Sequence, residues 1–155
     1  MVVCVYGIKC ICILKLRKDS MGLQKNCVTQ SADKRTEKRR VGDAGENLAC
    51  RYLENKGYRI IERNFSCRSG EIDIIAALPS KNILCFIEVK SRNTIRYGLP
   101  SEAVTLSKQR KIKRSAAYYI RLHRRFSLVQ GRFDIVEVLR LDKGTYIRHM
   151  ENAFE

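Results

Sequence analysis

The chain has 155 residues, 45% of which are hydrophobic, and this size and composition predict one packed domain and exclude a globally disordered chain. Its 31 Lys and Arg residues outnumber its 16 Asp and Glu residues, which gives a net charge of +15. A field of this sign attracts polyanions, so nucleic acid is the leading partner class and an anionic membrane surface is the second. A basic surface that merely keeps the protein in solution is the alternative.

The N-terminal part of the chain lacks the periodic pattern of a folded domain. Residues 1–16 are mostly apolar, but Lys9 and the basic residues that follow make them too short and too charged to span a bilayer. They also lack a signal-peptide cleavage site, and we expect a strand or a weak surface-associating segment here. Residues 19–40 are polar and basic and predict a linker or a flexible basic arm. We therefore expect an extension over residues 1–40 and the folded domain over residues 41–155.

Cysteine usage indicates a reducing compartment. The seven cysteines are odd in number, form no Cys-x-x-Cys pair and are not near either histidine in sequence, so neither a disulfide framework nor a zinc site is expected. Cys50 falls in a helical pattern and Cys85 in an apolar run, and both are predicted to be small core residues. These features predict a cytoplasmic protein.

A helix and three strands are predicted at the start of the domain. Apolar residues recur at helical spacing from Val41, and Gly57 is placed to end this helix. Three runs rich in apolar and strand-forming residues follow, over residues 58–65, 71–78 and 83–91. Pro79 and Asn82 fall between the last two runs, and their preference for turns predicts a hairpin.

A second helix and a further strand complete the predicted domain. Residues 92–100 form a polar loop, and a helix follows it with Ser107 as the candidate N-cap. Residues 132–139 alternate as a strand does, and residues 145–147 add a short one. The order α-β-β-β-α-β predicts an α/β fold in which helices flank a mixed central sheet.

The predicted hairpin brings two acidic residues together. Asp73 and Glu88 are equally far from the midpoint of the turn. In a regular antiparallel hairpin they therefore face each other, with their Cβ atoms about 4.5–5.5 Å apart. Lys90 lies two residues beyond Glu88 and shares its face of the strand. Two carboxylates opposed in an apolar hairpin repel each other and lose hydration, which is costly without a cation between them.

The acidic pair predicts a divalent-cation site. Carboxylate oxygens suit Mg²⁺ or Mn²⁺. Enzymes that hydrolyse phosphodiesters commonly use such a cation together with a positioned water. Lys90 would offset part of the negative charge, or would orient and deprotonate a water. The alternative is a solvated polar face that has only a structural role. The apolar runs Ile74-Ile75 and Phe86-Ile87 argue against that alternative, because they indicate strands buried on both faces.

These residues fit a known signature. Gly70-Glu71-Ile72-Asp73 followed by Glu88-Val89-Lys90 resembles the split Asp…Glu-x-Lys motif of the PD-(D/E)xK nucleases. More narrowly, the chain resembles the YraN-like family, whose members are regarded as endonucleases related to archaeal Holliday-junction resolvases. The matching stretches are Gly42-Asp43-Ala44-Gly45-Glu46, Tyr52-Leu53, Gly57-Tyr58, Arg68-Ser69-Gly70-Glu71-Ile72-Asp73, Ile87-Glu88-Val89-Lys90-Ser91-Arg92, Gly98-Leu99-Pro100-Ser101-Glu102-Ala103-Val104, Lys108-Gln109-Arg110-Lys111-Ile112 and Arg132-Phe133-Asp134. The resemblance implies a restriction-endonuclease-like core over residues 41–139.

The resemblance also implies roles for individual residues. The implied catalytic residues are Asp73, Glu88, Lys90, Glu46 and Gln109. The implied ligands of Mg²⁺ or Mn²⁺ are Asp73, Glu88, Glu46 and the backbone carbonyl of Val89. Glu46 matches a helix-borne acid that completes the metal site in resolvase-like relatives, although an acid there could also simply favour the start of a helix. Gln109 matches a helix residue that supports the site, and a plain surface residue is its alternative.

Basic residues beside the predicted site are candidates for contacts with DNA phosphates. They lie in the loop after the third strand and at the start of the second helix, and they are Arg92, Arg96, Lys108, Arg110, Lys111, Lys113 and Arg114. A solvated basic face is the alternative for this group. Asp134 is expected to have a structural or supporting role.

Three functions are compatible with these features. The first is a metal-dependent endonuclease that acts on branched or otherwise structured DNA, as a homodimer by analogy with resolvases, which need two active sites. The second is a nucleic-acid-binding module that keeps the nuclease fold without cleaving. The third is a membrane-surface protein held by the apolar N-terminus and the basic arm, without stable membrane insertion.

Overall fold

A computed structural model describes residues 34–93 and 104–155, which form two helices and one five-stranded mixed sheet, an α/β fold. The elements are helix α1 (Lys34–Asn55), strands β1 (Arg59–Cys67), β2 (Gly70–Leu78) and β3 (Ile83–Arg92), helix α2 (Leu106–Leu122), and strands β4 (Gln130–Leu141) and β5 (Gly144–Met150). The predicted order of helices and strands is confirmed. The predictions for the apolar N-terminal segment and for most of the loop over residues 92–100 concern residues outside the described ones.

Helix α1 begins earlier than the sequence predicts. Residues 34–40, expected to belong to a linker or arm, form its first turns. Lys, Arg and Glu are good helix formers, and a helix extends readily into such a segment once the neighbouring turns have formed. The helix ends as predicted, because Gly57 adopts a φ of +84°. The N–H of Tyr58 then donates to the carbonyl of Leu53 at 3.0 Å, which completes the C-terminal cap.

Strands β2 and β3 form the predicted hairpin in the predicted register. The paired residues are Ile74 with Ile87, Ile75 with Phe86, Ala76 with Cys85, Ala77 with Leu84 and Leu78 with Ile83. A single 3-10 turn over Pro79–Lys81 connects the strands, and Asn82 follows it with a φ of +52°. The N–H of Asn82 donates to the carbonyl of Pro79 at 3.2 Å. The turn residues therefore fix which side chains lie opposite each other.

The sheet has the strand order β1-β2-β3-β4-β5, and its neighbours are antiparallel except for β3 and β4. A parallel pair needs a crossover connection, and α2 lies in the one between β3 and β4. The ladder with β4 runs as far as Arg92, which pairs with Leu139. Arg92 is therefore the last residue of β3 and not, as predicted, part of the following loop.

Helix α2 is capped by a residue other than the predicted one. Thr105 is the N-cap, and its Oγ1 accepts a hydrogen bond from the N–H of Lys108 at 3.3 Å. The backbone of Thr105 has a ψ of 152°, outside the helical range, which lets its hydroxyl turn back towards the first helical turn. Ser107, the predicted cap, lies inside the helix. Sequence spacing alone did not distinguish two hydroxyl residues this close together.

The core lies on both faces of the sheet. Helix α1 covers one face, where Leu53 packs with Ile74, Ile87 and Val136, and α2 covers the other, where Tyr119 packs with Phe86 and Ile135. Cys50 and Cys85 are buried in the first of these clusters, as predicted. Within the described ranges no helix is long and apolar enough to cross a bilayer. Two covered faces leave the strand ends as the places where polar side chains from the sheet can gather.

Candidate active site

The predicted acidic pair lies where the ladder between β2 and β3 ends. The last paired residues are Ile74 and Ile87, so Asp73 and Glu88 occupy the next position on each strand. At this point the N–H of Val89 donates to Asp73 Oδ2 at 2.7 Å. The carboxylate of Asp73 thus accepts a hydrogen bond from the main chain of β3, which holds it close to Glu88.

Glu88 is buried and is held by two lysines. Its side chain is 3% exposed, with Lys90 Nζ 2.7 Å from Oε1 and Lys108 Nζ 3.3 Å from Oε2. The contact with Lys90 is a hydrogen bond. The contact with Lys108 is an ion pair, and Oε2 accepts no hydrogen bond of good geometry from the described residues. Two ammonium groups offset a charge that burial would otherwise make costly.

Asp73 has a pKa that is raised to about 7, first by burial and second by the negative charge of Glu88. The charge of Glu46 adds to this rise, while the Val89 N–H and the charge of Lys108 oppose it. An ordinary aspartate has a pKa of about 3.9, so this carboxyl group titrates in an unusual range. Burial combined with a second acid is the arrangement that perturbs carboxylates at functional sites.

Helix α1 brings Glu46 towards the same acids. Glu46 Oε2 is buried, lies 3.7 Å from Arg63 Nη2 and has no hydrogen-bond donor in the described part of the chain. The neighbouring Gly45 explains how the helix comes so close to the sheet. A Cβ atom at Gly45 would lie only 2.6 Å from both Cβ and Oγ of Ser91 on β3. A residue without a side chain is therefore needed at this crossing.

The acids have the donor chemistry for a hard divalent cation but do not close around one. In residues 34–93 and 104–155, no three His, Cys, Asp or Glu side chains are grouped closely enough to hold a metal ion. Two buried carboxylate oxygens, Glu46 Oε2 and Glu88 Oε2, nevertheless lack hydrogen-bond donors within these ranges. Oxygen donors that need positive charge suit Mg²⁺ or Mn²⁺. The lysine ammonium groups at Glu88 supply that charge here.

Lys108, which was predicted only to contact DNA, lies in the acidic cluster. Its Nζ lies 3.3 Å from Glu88 Oε2 and 3.4 Å from Glu71 Oε1. Burial acts to lower the pKa of Lys108, but Glu88, Asp73 and Glu71 outweigh it and raise the pKa above its ordinary value. No local pattern distinguishes this lysine from its basic neighbours, because only the path of α2 across the sheet brings it to β3.

Gln109, the other α2 residue with a predicted role, contacts the main chain beside its own helix. Its Nε2 donates to the carbonyl of Val104 at 3.0 Å. This bond holds the segment that leads into α2, and with it the helix start that carries Lys108. Its predicted support of the site stays a prediction, as does the predicted role of the Val89 carbonyl.

The remaining residues predicted to contact DNA are distributed over several surroundings. Arg92 Nε lies 3.4 Å from Glu137 Oε1, so its charge is partly used within the sheet. Arg96 lies outside the described residues. The other four lie on α2, where Arg110, Lys111 and Arg114 are exposed and Lys113 is half-buried.

Asp134 is fully buried in a separate ionic network. Arg132 makes a bidentate contact with it, from Nε to Oδ1 at 2.9 Å and from Nη2 to Oδ2 at 2.8 Å. His149 Nε2 and the N–H of Asn152 also bond to the carboxylate, at 2.9 and 3.0 Å. Burial acts to raise the pKa of Asp134, but the bonds from His149, Arg132 and Asn152 hold it below the usual range. The network joins β4 to β5 and to the C-terminal segment.

Comparison with known proteins identifies the family. Residues 45–138, which include all five predicted catalytic residues, match the sequence profile described as "Uncharacterised protein family UPF0102". A UPF0102 protein of Caldanaerobacter subterraneus subsp. tengcongensis is 48% identical over 124 residues, which cover 78% of this chain and 99% of that protein. A UPF0102 protein of Pelobacter propionicus is 44% identical over 81% of this chain and 89% of its own length. The chain therefore belongs to the UPF0102 family, the YraN-like family that its motifs resemble.

Proposed function

We propose that this chain is a metal-dependent endonuclease that hydrolyses phosphodiester bonds in branched or otherwise structured DNA, on a core of the PD-(D/E)xK type. One observation carries the proposal. Asp73 and Glu88 lie directly beyond the last paired residues of the hairpin, and burial together with the charge of Glu88 raises the pKa of Asp73 to about 7. A fold that places two acids so close in a buried hairpin gains from a cation that neutralises both.

Different residues of the chain would have different roles in hydrolysis. Asp73 and Glu88 would hold Mg²⁺ or Mn²⁺, with the carbonyl of Val89 and the carboxylate of Glu46 in support. When bound, such an ion acts as a Lewis acid towards a phosphoryl oxygen. Lys90 would orient the attacking water beside these acids, and the 2.7 Å contact of its Nζ with Glu88 Oε1 supports that role. Water adds at phosphorus, and the bond from phosphorus to one ester oxygen breaks, which leaves a phosphate end and a hydroxyl end.

The second candidate is a nucleic-acid-binding module that does not cleave. One observation favours it: Glu88 already has two lysine partners, and the described acids do not form a closed cation site. The ion pairs of Glu88 with Lys90 and Lys108 would then have only a structural role, holding β3 and α2 together. Charge and shape would then drive recognition of nucleic acid.

Cleavage assays on defined DNA structures test the proposal. Purified protein would be incubated with labelled single-stranded, duplex, flap and four-way-junction DNA in Mg²⁺, in Mn²⁺ and in EDTA. We expect metal-dependent cleavage that favours the branched substrates, and we expect Asp73→Asn and Glu88→Gln to lower the rate at least about a hundredfold, since removal of a group that holds the cation costs several kcal/mol of barrier.

Matched controls separate loss of the site from loss of negative charge. Asp142→Asn and Glu54→Gln make the same carboxylate-to-amide changes at exposed positions, after β4 and on α1 respectively, and should keep the wild-type rate. Binding of DNA without cleavage in either metal would reject the nuclease and favour the binding module. Cleavage that survives both site variants would also reject the assignment of these acids.

A further inference from the structure

A concave surface lies beside the acidic cluster. It is a groove of about 370 Å³ between the turn that joins β1 to β2 and the start of α2. Arg68 and Ser69 line it from the turn, and Lys108 and Lys111 line it from the helix. Lys108 also reaches Glu88 Oε2 at 3.3 Å, so this lysine connects the groove directly to the predicted catalytic acids. We call this surface the turn–helix groove.

The walls of the turn–helix groove are held together by close packing. Gly70 has a φ of +147°, and a Cβ atom there would lie 3.2 Å from Lys111 Cβ and 3.6 Å from Ser115 Oγ. The thiol of Cys67 donates to the same Ser115 Oγ at 3.3 Å. The turn and the helix are thus fixed relative to each other in the free protein. Binding of a ligand therefore costs little conformational entropy of the groove.

The charges in the groove are only partly balanced. Glu71 lines it as well and lies 3.4 Å from Lys108 Nζ, so Lys108 is already shared between Glu71 and Glu88. Arg68 and Lys111 are both exposed, and neither pairs with a carboxylate in the described part of the chain. Two cations and the hydroxyl of Ser69 therefore point to an anionic ligand with several acceptor oxygens.

We propose that the turn–helix groove binds a backbone phosphate of a nucleic acid, with Arg68 and Lys111 as its principal contacts. The inference rests on the proposed function for its choice of polyanion, since a strand that enters the groove continues past Lys108 to Glu88. Arg and Lys side chains with a hydroxyl are the usual phosphate contacts in protein–DNA interfaces. The proposed DNA contact is thus confined to the turn–helix groove instead of the whole basic face of α2. It also includes Arg68, which the sequence alone did not indicate.

Equilibrium binding without catalysis tests the groove separately from the nuclease. Binding of fluorescein-labelled duplex and four-way-junction DNA would be measured by anisotropy in EDTA, over a range of salt concentrations. The double variant Arg68→Gln with Lys111→Gln should bind about tenfold more weakly at about 0.1 M salt, and the slope of log affinity against log salt should fall by about one to two. Circular dichroism and thermal unfolding would check that the variant is folded.

A matched control removes the same charges elsewhere. Arg59→Gln with Lys81→Gln also deletes one arginine and one lysine, both exposed, at the end of the sheet near the β2–β3 turn. It should keep the wild-type salt slope within experimental error. If the two double variants bind DNA equally well, or if only anionic phospholipid vesicles respond to loss of Arg68 and Lys111, the groove assignment is wrong.

The outcomes distinguish the groove from the nuclease. Groove-dependent binding by a protein that cleaves in neither Mg²⁺ nor Mn²⁺ would support the phosphate site and reject the proposed nuclease. Metal-dependent cleavage by a protein whose DNA affinity does not depend on the groove would support the proposed nuclease and reject the phosphate site.

Discussion

The N–H of Val89 donates to Asp73 Oδ2 at 2.7 Å, and so the side chain of one strand binds the main chain of the next at the point where the hairpin ladder ends. This bond keeps Asp73 beside Glu88 although their negative charges repel. The arrangement stores an unfavourable electrostatic interaction in the folded state. Its consequences can be measured as stability, as cation affinity and as a dependence on pH.

Asp73→Asn should stabilise the protein at pH 8. The raised pKa, about 7 in the folded state against about 4 when unfolded, means that the folded protein binds more protons between these values. Stability due to Asp73 therefore falls as pH rises from about 4 to about 7. An amide keeps an acceptor for the Val89 N–H and removes the buried charge, so we expect a gain on the order of 1–3 kcal/mol at pH 8 and almost none at pH 4.

Urea unfolding of wild type and Asp73→Asn at both pH values measures this effect. Asp142→Asn, at an exposed position, should change stability little at either pH. A variant that is less stable than wild type at pH 8 would show that the charge of Asp73 stabilises the fold, and the account of its raised pKa would then fail.

Lys108→Gln should increase the affinity for Mn²⁺. Lys108 Nζ lies 3.3 Å from Glu88 Oε2 and its charge lowers the pKa of Asp73, so it competes with a cation for the same negative charge. Removal of a nearby unit charge is worth about 1 kcal/mol or more at a partly solvated site, or roughly fivefold to tenfold in affinity. Electron paramagnetic resonance of free Mn²⁺ during a titration gives the dissociation constant. Lys113→Gln on the same helix is the matched control, and equal affinities for the two variants would contradict the prediction.

Gly45→Ala should destabilise the protein, while Gly42→Ala should not. A Cβ atom at Gly45 would lie 2.6 Å from Ser91 Cβ and Oγ, whereas one at Gly42 meets nothing within 4 Å. Overpacking of this kind costs about 1–3 kcal/mol, and alanine at an open helical position gains about 0.5–1 kcal/mol. Chemical denaturation measures both. The double variant Gly45→Ala with Ser91→Gly should recover most of the loss, and if it does not, the close approach of α1 to β3 is not its cause.

Asp134→Asn should destabilise the protein by about 3–5 kcal/mol at pH 7, because the buried Arg132 loses its bidentate carboxylate partner and keeps only the ion pair with the exposed Glu151. The lowered pKa of Asp134 means that its contribution is present above about pH 4 and is lost as pH falls through the folded value. The stability difference between wild type and variant, measured by urea unfolding, should therefore shrink below about pH 4. A difference that stays constant down to about pH 2 would contradict the role assigned to this charge.

The hairpin register could be predicted because local signals determine it. Pro79 and Asn82 fix the turn, and apolar runs on both sides can be buried only when they pair symmetrically about it. The juxtaposition of Asp73 and Glu88 follows from that register alone. The family resemblance added Glu46, whose charge contributes to the raised pKa of Asp73, and its role as a metal ligand stays a prediction.

Contacts between elements distant in sequence could not be predicted. Lys108 reaches Glu88 only because α2 crosses the sheet, and nothing in the run of basic residues distinguishes it. The start of α1 at Lys34 was missed because charged residues suit a helix and an exposed arm equally well. The cap at Thr105 depends on a backbone angle that spacing does not specify.

The position of β3 in the middle of the described sheet predicts that it is less mobile than β1 at the edge. The residues of β3 pair with β4 from Ile83 to Arg92 and with β2 as far as Ile87, and the N–H of Val89 bonds to Asp73 beyond that point, so its amide groups should exchange with deuterium slowly. Strand β1 lies at one edge of the described sheet, has a register shift between Ile60 and Glu62, and should exchange by local fraying. Glu88 and Lys90 would thus stay fixed on a slowly exchanging strand, and fraying of the edge would begin near the register shift, at the opposite end of β1 from the turn that carries Arg68.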